Sequence, residues 1–265
     1  MLEQAFLETL MDKAWPAVER EDTGEWVLRA SEGVTQRANS VWPRNLSDAA
    51  DGIPELAGSL RSASDWYRRR RLPLIFQVFD DPRSAALNAV LDGQRFTKQS
   101  ETRIMVRGLE GLPVPAGGRN VELSEDPSAE WLDVGWSVDG RGGAAELAVA
   151  RRILLGCPAL YALVRDHDGV PAAVGRLALV DGWGGIYGMA TSATHRRRGY
   201  GSQVLAALLE SGARRGLEGF WLLVTSANHG AQSLYAQAGF THYGSYLYRQ
   251  APIRRALSGC WGTGR

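Results

Sequence analysis

A mixed α/β fold, with a central sheet flanked by helices, is predicted by three observations. Residues 120–250 alternate short apolar runs with amphipathic stretches at helical spacing. A break at 108–119 packs four glycines and two prolines into twelve residues, too many for a helix or a central strand. Finally, a strand–helix–strand pattern just before the break is echoed near the C-terminus. The order of units that follows is 1–107, a linker at 108–119, a larger unit at 120–250 and a tail at 251–265.

Taken in chain order, Trp26-Val-Leu-Arg-Ala and the segment from Thr35 to Pro43 alternate tryptophan and valine like sheet core. Arg68 to Arg71 close a helix just before Leu72-Pro73, where cations complement the helix C-terminus. A strand over 74–79, a helix over 83–91 and a strand over 100–106 complete the first half. In the second half, strands are predicted at 120–124, 160–165, 172–180, 186–191, 220–225 and 241–249. Helices are predicted at 144–155, 202–215 and 231–238. Placing Leu87 on Leu234, an offset of 147 residues, lays strand on strand and helix on helix. Phe96-Thr97 then meets Phe240-Thr241 after a short insertion, the signature of a weak internal repeat.

Composition narrows the function. The chain of 265 residues is 45% hydrophobic and 22% charged, ordinary values for a globular protein. Its net charge of +1 provides no field to recruit nucleic acid or an anionic membrane. Cys157 and Cys260 lack CxxC spacing or a paired histidine, so neither a metal site nor a disulfide framework is expected. Charges spread through the first eighteen residues argue against a signal peptide, and no run approaches a membrane span. A cytoplasmic location is expected.

The chemistry centres on Arg196, Arg197, Arg198, Gly199, Tyr200, Gly201 and Ser202, between an apolar strand and a helix striped by Val204, Leu205, Leu208 and Leu209. Glycines at such a junction turn backbone N–H groups outward, and the helix N-terminus adds partial positive charge, which suits a pyrophosphate. No Gly-Lys-Ser/Thr follows, and neither the third glycine of a dinucleotide loop nor an acidic ribose partner is present. A second motif, Asn228-His-Gly-Ala231-Gln-Ser-Leu234-Tyr235-Ala-Gln-Ala-Gly239-Phe240, begins 27 residues after Gly201.

Together, in this order, the two motifs resemble the GNAT superfamily of N-acetyltransferases. That family carries Arg/Gln-x-x-Gly-x-Gly/Ala after its fourth strand and Asn-x-x-Ala-x-x-Leu-Tyr-x-x-x-Gly-Phe after its fifth. The resemblance implies a GNAT fold, acetyl-CoA as cosubstrate without a metal, and an amine acceptor, either a small molecule or a protein. It places the CoA pyrophosphate on the Arg197 to Ser202 amides with Arg196 alongside, and the pantetheine arm along Met189, Ala190 and Thr191. Asn228 would contact the pantetheine, and Tyr235 would protonate the departing thiolate. By periodicity alone Tyr235 is a core residue on the stripe Ala231, Leu234, Tyr235, Ala238, and Asn228 is a helix cap.

The first half resembles the N-terminal region of two-part bacterial GNAT proteins, and the whole reads as two GNAT-like halves of which the first is degenerate. At offset 147, Gly201 falls on Pro54, Asn228 on Asp81 and Tyr235 on Asn88, so the first copy lacks amides and phenol. Arg37, Asn39 and Ser40 are candidates to line an acceptor cleft between the halves. The strand at 186–191 carries no carboxylate to act as base, leaving Glu122 or a water relay. His195 stands beside the loop as base, phosphate contact or neither. A monomer or homodimer is expected, without nucleic acid or membrane. The alternative class is a non-catalytic acyl-CoA sensor or scaffold.

Overall fold

The computed structural model describes residues 2–44, 53–112 and 121–252. Helix α1 (Gln4–Ala14) precedes a three-stranded antiparallel sheet of β1 (Glu19–Asp22), β2 (Trp26–Ala30) and β3 (Trp42–Pro43). Helix α2 (Ile53–Arg69), β4 (Ile75–Phe79), α3 (Ala85–Gly93) and β5 (Thr97–Arg107) complete the first half. The second half runs β6 (Val121–Ser124), α4 (Ala129–Asp139), α5 (Ala144–Leu155), β7 (Ala159–Arg165), β8 (Pro171–Val180) and β9 (Trp183–Thr191). It ends with α6 (Tyr200–Arg214), β10 (Gly219–Thr225), α7 (His229–Gln237) and β11 (Thr241–Gln250). Much of the predicted linker and nearly all of the predicted tail fall outside the described residues.

The large sheet has eight strands in the order β4-β11-β5-β10-β9-β8-β7-β6. Strand β5, from the first half, lies between β10 and β11 and pairs antiparallel with both. Strand β4 in turn pairs with β11. Each half thus contributes a strand–helix–strand unit whose second strand crosses into the other unit, about a pseudo-two-fold between β5 and β11. The repeat is real, but its register is 144 residues rather than 147. That offset carries Ile75 onto Gly219, Ala85 onto His229 and Thr97 onto Thr241, the first residues of the matching elements. A hydrophobic match at one helical position is satisfied by either offset, because i and i+3 share a helix face. A parallel bridge between Val41 and Phe76 joins the small sheet to β4, as β9 joins β10 in parallel.

Burial follows the sequence pattern. Val204, Leu205, Leu208 and Leu209 of α6 are all at most 1% exposed and pack with Phe220 and Leu222 of β10. At roughly 1.5–3 kcal/mol per fully buried aliphatic side chain, that stripe seats α6 on the sheet. On the opposite face Leu7, Leu10, Met11 and Ala14 of α1 pack with Ala178, Tyr187 and Trp221, so the first helix of the chain covers strands of the second half. Two helices, α1 and α4, have no counterpart in the sequence prediction. In α1 the buried face includes Glu8 and Asp12. Glu8 accepts from Trp42 Nε1 at 2.7 Å and Asp12 pairs with Arg29 at 3.2 Å, which makes two carboxylates tolerable inside.

Candidate active site

Strands β9 and β10 pair in parallel only from Gly219↔Trp183 to Leu222↔Ile186. Beyond that point they splay, and β9 from Tyr187 to Thr191 has no strand partner on its β10 side. The same stretch is bulged. Its register against β8 shifts between Val174↔Ala190 and Arg176↔Tyr187, so Gly188 and Met189 face the single residue Gly175. Gly188 takes φ +57° there, and a Cβ on it would lie 3.2 Å from the Trp131 ring. The indole Nε1 of Trp131 donates to the Gly175 carbonyl at 3.1 Å, holding α4 against the bulge.

The loop before α6 has the geometry its glycines foreshadow. Arg197 (φ +64°) and Gly199 (φ +83°) both turn left-handed, and α6 begins at Tyr200 without a side-chain cap. The first-turn amides of a helix have no internal acceptor, so this end presents free donors and the positive end of the helix dipole. A short 3₁₀ turn, Ala193–His195, anchors the loop. His195 is buried, with Nδ1 2.6 Å from Ser192 Oγ and Nε2 2.9 Å from Asp166 Oδ2. Both ring nitrogens are engaged, so His195 acts as a tether between the β7–β8 turn and the loop rather than as a base.

Tyr235 is 7% exposed, packed edge-on to Phe240 at 6.1 Å. Burial, helped by the nearby Asp139 carboxylate, pushes its phenol up to about 12. Asn228 caps α7, its Oδ1 accepting from the Ala231 amide at 3.1 Å. On β9, Met189 packs into the α6-side core, Ala190 faces the opposite cluster with Trp131, and Thr191 lies against Gly201.

Beside the splay is a cavity of about 380 Å³. β9 lends it Tyr187, Gly188 and Ala190, β10 lends Leu223 and Thr225, and β11 lends Tyr246 and Tyr248. Trp131, Trp136 and Asp139 come from α4, and Trp15, Gln36 and Arg37 from the first half. Of the three first-half residues expected in an acceptor cleft, only Arg37 reaches it. Asn39 instead ties its own loop, accepting from the Ser31 and Gly33 amides and donating to the Val34 and Thr35 carbonyls. Ser40 accepts from Arg29 at 3.0 Å. Glu122 lies on the outer strand β6 in an ion pair with Arg165 at 2.7 Å and does not line the cavity. Asp139, which the sequence did not single out, is the one carboxylate among the described lining residues. Burial raises its pKa against the pull of Arg196 and Arg141.

The family model described as probable histone acetyltransferase Rv0428c, C-terminal, matches residues 4–249. The chain belongs to that family, within the GNAT superfamily. Among curated relatives, the N-acetyltransferase YobR of Bacillus subtilis is 28% identical over 247 residues, covering 92% of this chain and 96% of that one. The mycothiol acetyltransferase of Clavibacter michiganensis is 30% identical over 171 residues, covering 61% of this chain and 56% of its own. A GCN5-related N-acetyltransferase from Kribbella flavida superposes with a TM-score of 0.70 at 18% identity, over 96% of this chain and 97% of that one. A tandem GNAT protein from the clavulanic acid biosynthesis pathway gives a TM-score of 0.63 at 17% identity, over 82% and 76%.

This N-acetyltransferase therefore has the splay, the bulge and the loop in one place, with Tyr235 on the helix that follows β10. No helix among its described residues is long and apolar enough to cross a membrane. The sequence missed α4 and its Trp131 and Asp139. Ser128, whose Oγ accepts from the Trp131 amide at 3.1 Å, is the capping signal that could have revealed it.

Proposed function

We propose that the enzyme transfers acetyl from acetyl-CoA directly to a primary amine, with residues 120–250 holding the cofactor and the first half shaping the acceptor site. The observation that carries this is the coincidence of a bulged, unpaired β9 edge with an uncapped helix end at Tyr200. The Arg197 to Ser202 amides would take the pyrophosphate, with Arg196, Arg197 and Arg198 supplying charge. The free edge at Met189, Ala190 and Thr191 would pair with pantetheine, and an amide of the bulge would meet the developing oxyanion. Asn228 would both cap α7 and border the pantetheine.

The chemistry needs little else. A neutral amine attacks the thioester carbon, the C–S bond breaks and the thiolate would take a proton from Tyr235. The surplus proton on the new amide nitrogen leaves to water, from which the phenolate is reprotonated. Because its phenol titrates near 12, Tyr235 stays protonated and able to donate through neutral and mildly alkaline pH. An ammonium of pKa about 10 must first lose a proton, and Asp139 on the cavity wall is where a water relay would end. Partial enclosure by Trp15 and Arg37 favours a small-molecule acceptor over a folded protein surface.

Calorimetric titration with acetyl-CoA, followed by CoA-release assays over a panel of amines, tests the proposal. Micromolar binding and amine-dependent CoA release are expected. Absence of acetyl-CoA binding would sink it.

A further inference from the structure

The cavity contains a guanidinium, that of Arg37, which pairs with no carboxylate among the described residues. Arg37 reaches it from the short 3₁₀ turn Arg37–Asn39, which the buried Asn39 braces. The guanidinium carbon lies 5.5 Å from the Trp15 ring centre and 5.2 Å from that of Tyr187. Its hydrogen-bond partner is the Tyr246 hydroxyl, at a long 3.4 Å, while its buried Nε has none. The nearby carboxylates are committed elsewhere: Asp12 to Arg29 and Arg20, Glu8 to Trp42 and Arg83.

Arg176 makes the contrast. It is fully buried close by, 5.9 Å from the same two rings, yet it donates to the Ala14, Leu154 and Cys157 carbonyls at the ends of α1 and α5. Those helix C-termini answer its charge. Nothing comparable answers Arg37 among the described residues. Arg37 is half-buried, and a cation drawn partly out of water costs free energy unless paired, a cost that aromatic faces offset only in part. Its intrinsic basicity nonetheless keeps the guanidinium charged there.

The cavity is also polar along its length. Asp139 stands on the cofactor side, within electrostatic reach of Tyr235 and Arg196. Arg37 stands on the other, between Trp15 and Tyr246. An ammonium would settle toward the carboxylate and the point of transfer, and an anion toward the guanidinium.

Resting on the acetyl-transfer reading above, we propose that the acceptor is an amine bearing a carboxylate or similar anion on an apolar body, and that Arg37 binds that anion. The walls of Trp15, Trp131, Tyr187 and Tyr248 contact the body between the two charges. A lysine-rich peptide, with cations where Arg37 requires an anion, is disfavoured.

The test uses matched probes on the full chain: 4-(aminomethyl)benzoate with 4-methylbenzylamine, 6-aminohexanoate with hexylamine, and lysine with cadaverine. Each is titrated calorimetrically with and without CoA, and each is assayed for CoA release from acetyl-CoA. The carboxylated member of at least one pair is expected to bind about tenfold tighter and to show the lower KM. Arg37→Leu should erase that difference while leaving acetyl-CoA affinity unchanged, which also reports that the variant is folded. Arg37→Lys should retain part of it. Equal binding within every pair, no binding by any carboxylated probe, or discrimination that survives Arg37→Leu overturns the proposal. If the unaltered protein binds no acetyl-CoA yet discriminates within the pairs, the cofactor reading falls and the anion site at Arg37 stands.

Discussion

The two strand–helix–strand units, β4-α3-β5 and β10-α7-β11, have nearly the same lengths and answer each other across one sheet, yet only the second carries the residues proposed for acetyl transfer. Their nine-residue helices match residue for residue at the 144-residue offset, which sets Leu91 opposite Tyr235 and Ser84 opposite the cap Asn228. Leu91 is fully buried in an apolar cluster with Leu60, Phe76 and Leu87. The parallel neighbours differ too. β10 borders the long, bulged β9, whereas β4 meets the other sheet through a single bridge at Val41. Where α6 is preceded by a left-handed glycine turn, α2 is already helical at Ile53, the matching position of Arg197. One scaffold thus carries two endings, which differ in the side chain at a single helical position and in the turn before a single helix.

The comparison can be broken most forcefully at the paired helix position. Leu91→Ala should cost about 3 kcal/mol of stability, read as a lowered denaturation midpoint, with kcat unchanged where the protein remains folded. Tyr235→Phe should do the reverse, lowering kcat about 100-fold at neutral pH while stability and acetyl-CoA affinity hold. The ratio of the two enzymes' kcat should stay flat from about pH 7 to 10, because a phenol raised to about 12 loses its proton only above that range. A ratio that collapses within it would remove Tyr235 as the proton donor.

The glycines before and within the matching helices sharpen the contrast. Gly199 holds φ +83° with open space around its Cβ position, so Gly199→Ala suffers from backbone strain alone. It should raise the acetyl-CoA Kd about tenfold in titration calorimetry. Gly58, inside α2, has no positive φ, and the nearest side-chain atom to an added Cβ is 3.9 Å away. Gly58→Ala should stabilise the protein by up to about 1 kcal/mol and leave cofactor binding unchanged. Equal effects on binding at both glycines would mean the two helix starts are not functionally distinct.

Local features were legible in the sequence. The α6 stripe, the left-handed glycine of the loop and the Asn228 cap follow from spacing and residue type within a dozen positions. What escaped depends on distant partners. Helix α1 hid because Glu8 and Asp12 break its apolar face, and they are acceptable only beside Trp42, Arg83 and Arg29. Helix α4 hid because Gly135 interrupts it and its buried stripe reduces to Trp131 and Val134. Arg37 was visible as a cleft candidate, but the fact that Asn39 and Ser40 are consumed by their own surroundings was not. The three-residue shift in the repeat arose because one leucine match cannot distinguish helix positions a turn apart.

The crossing of β5 into the second unit also shapes the protein's synthesis. Arg107 pairs with Phe220, a residue the ribosome adds 113 positions later. At about 5–20 residues per second, β5 waits on the order of ten seconds for its neighbours. During that interval two open edges are exposed, and Arg103, Arg107 and Lys98 along the strand are charges that discourage wrong pairing. β11, the last of the described strands, closes the sheet by lying between β4 and β5, so the sheet is complete only once that strand is made.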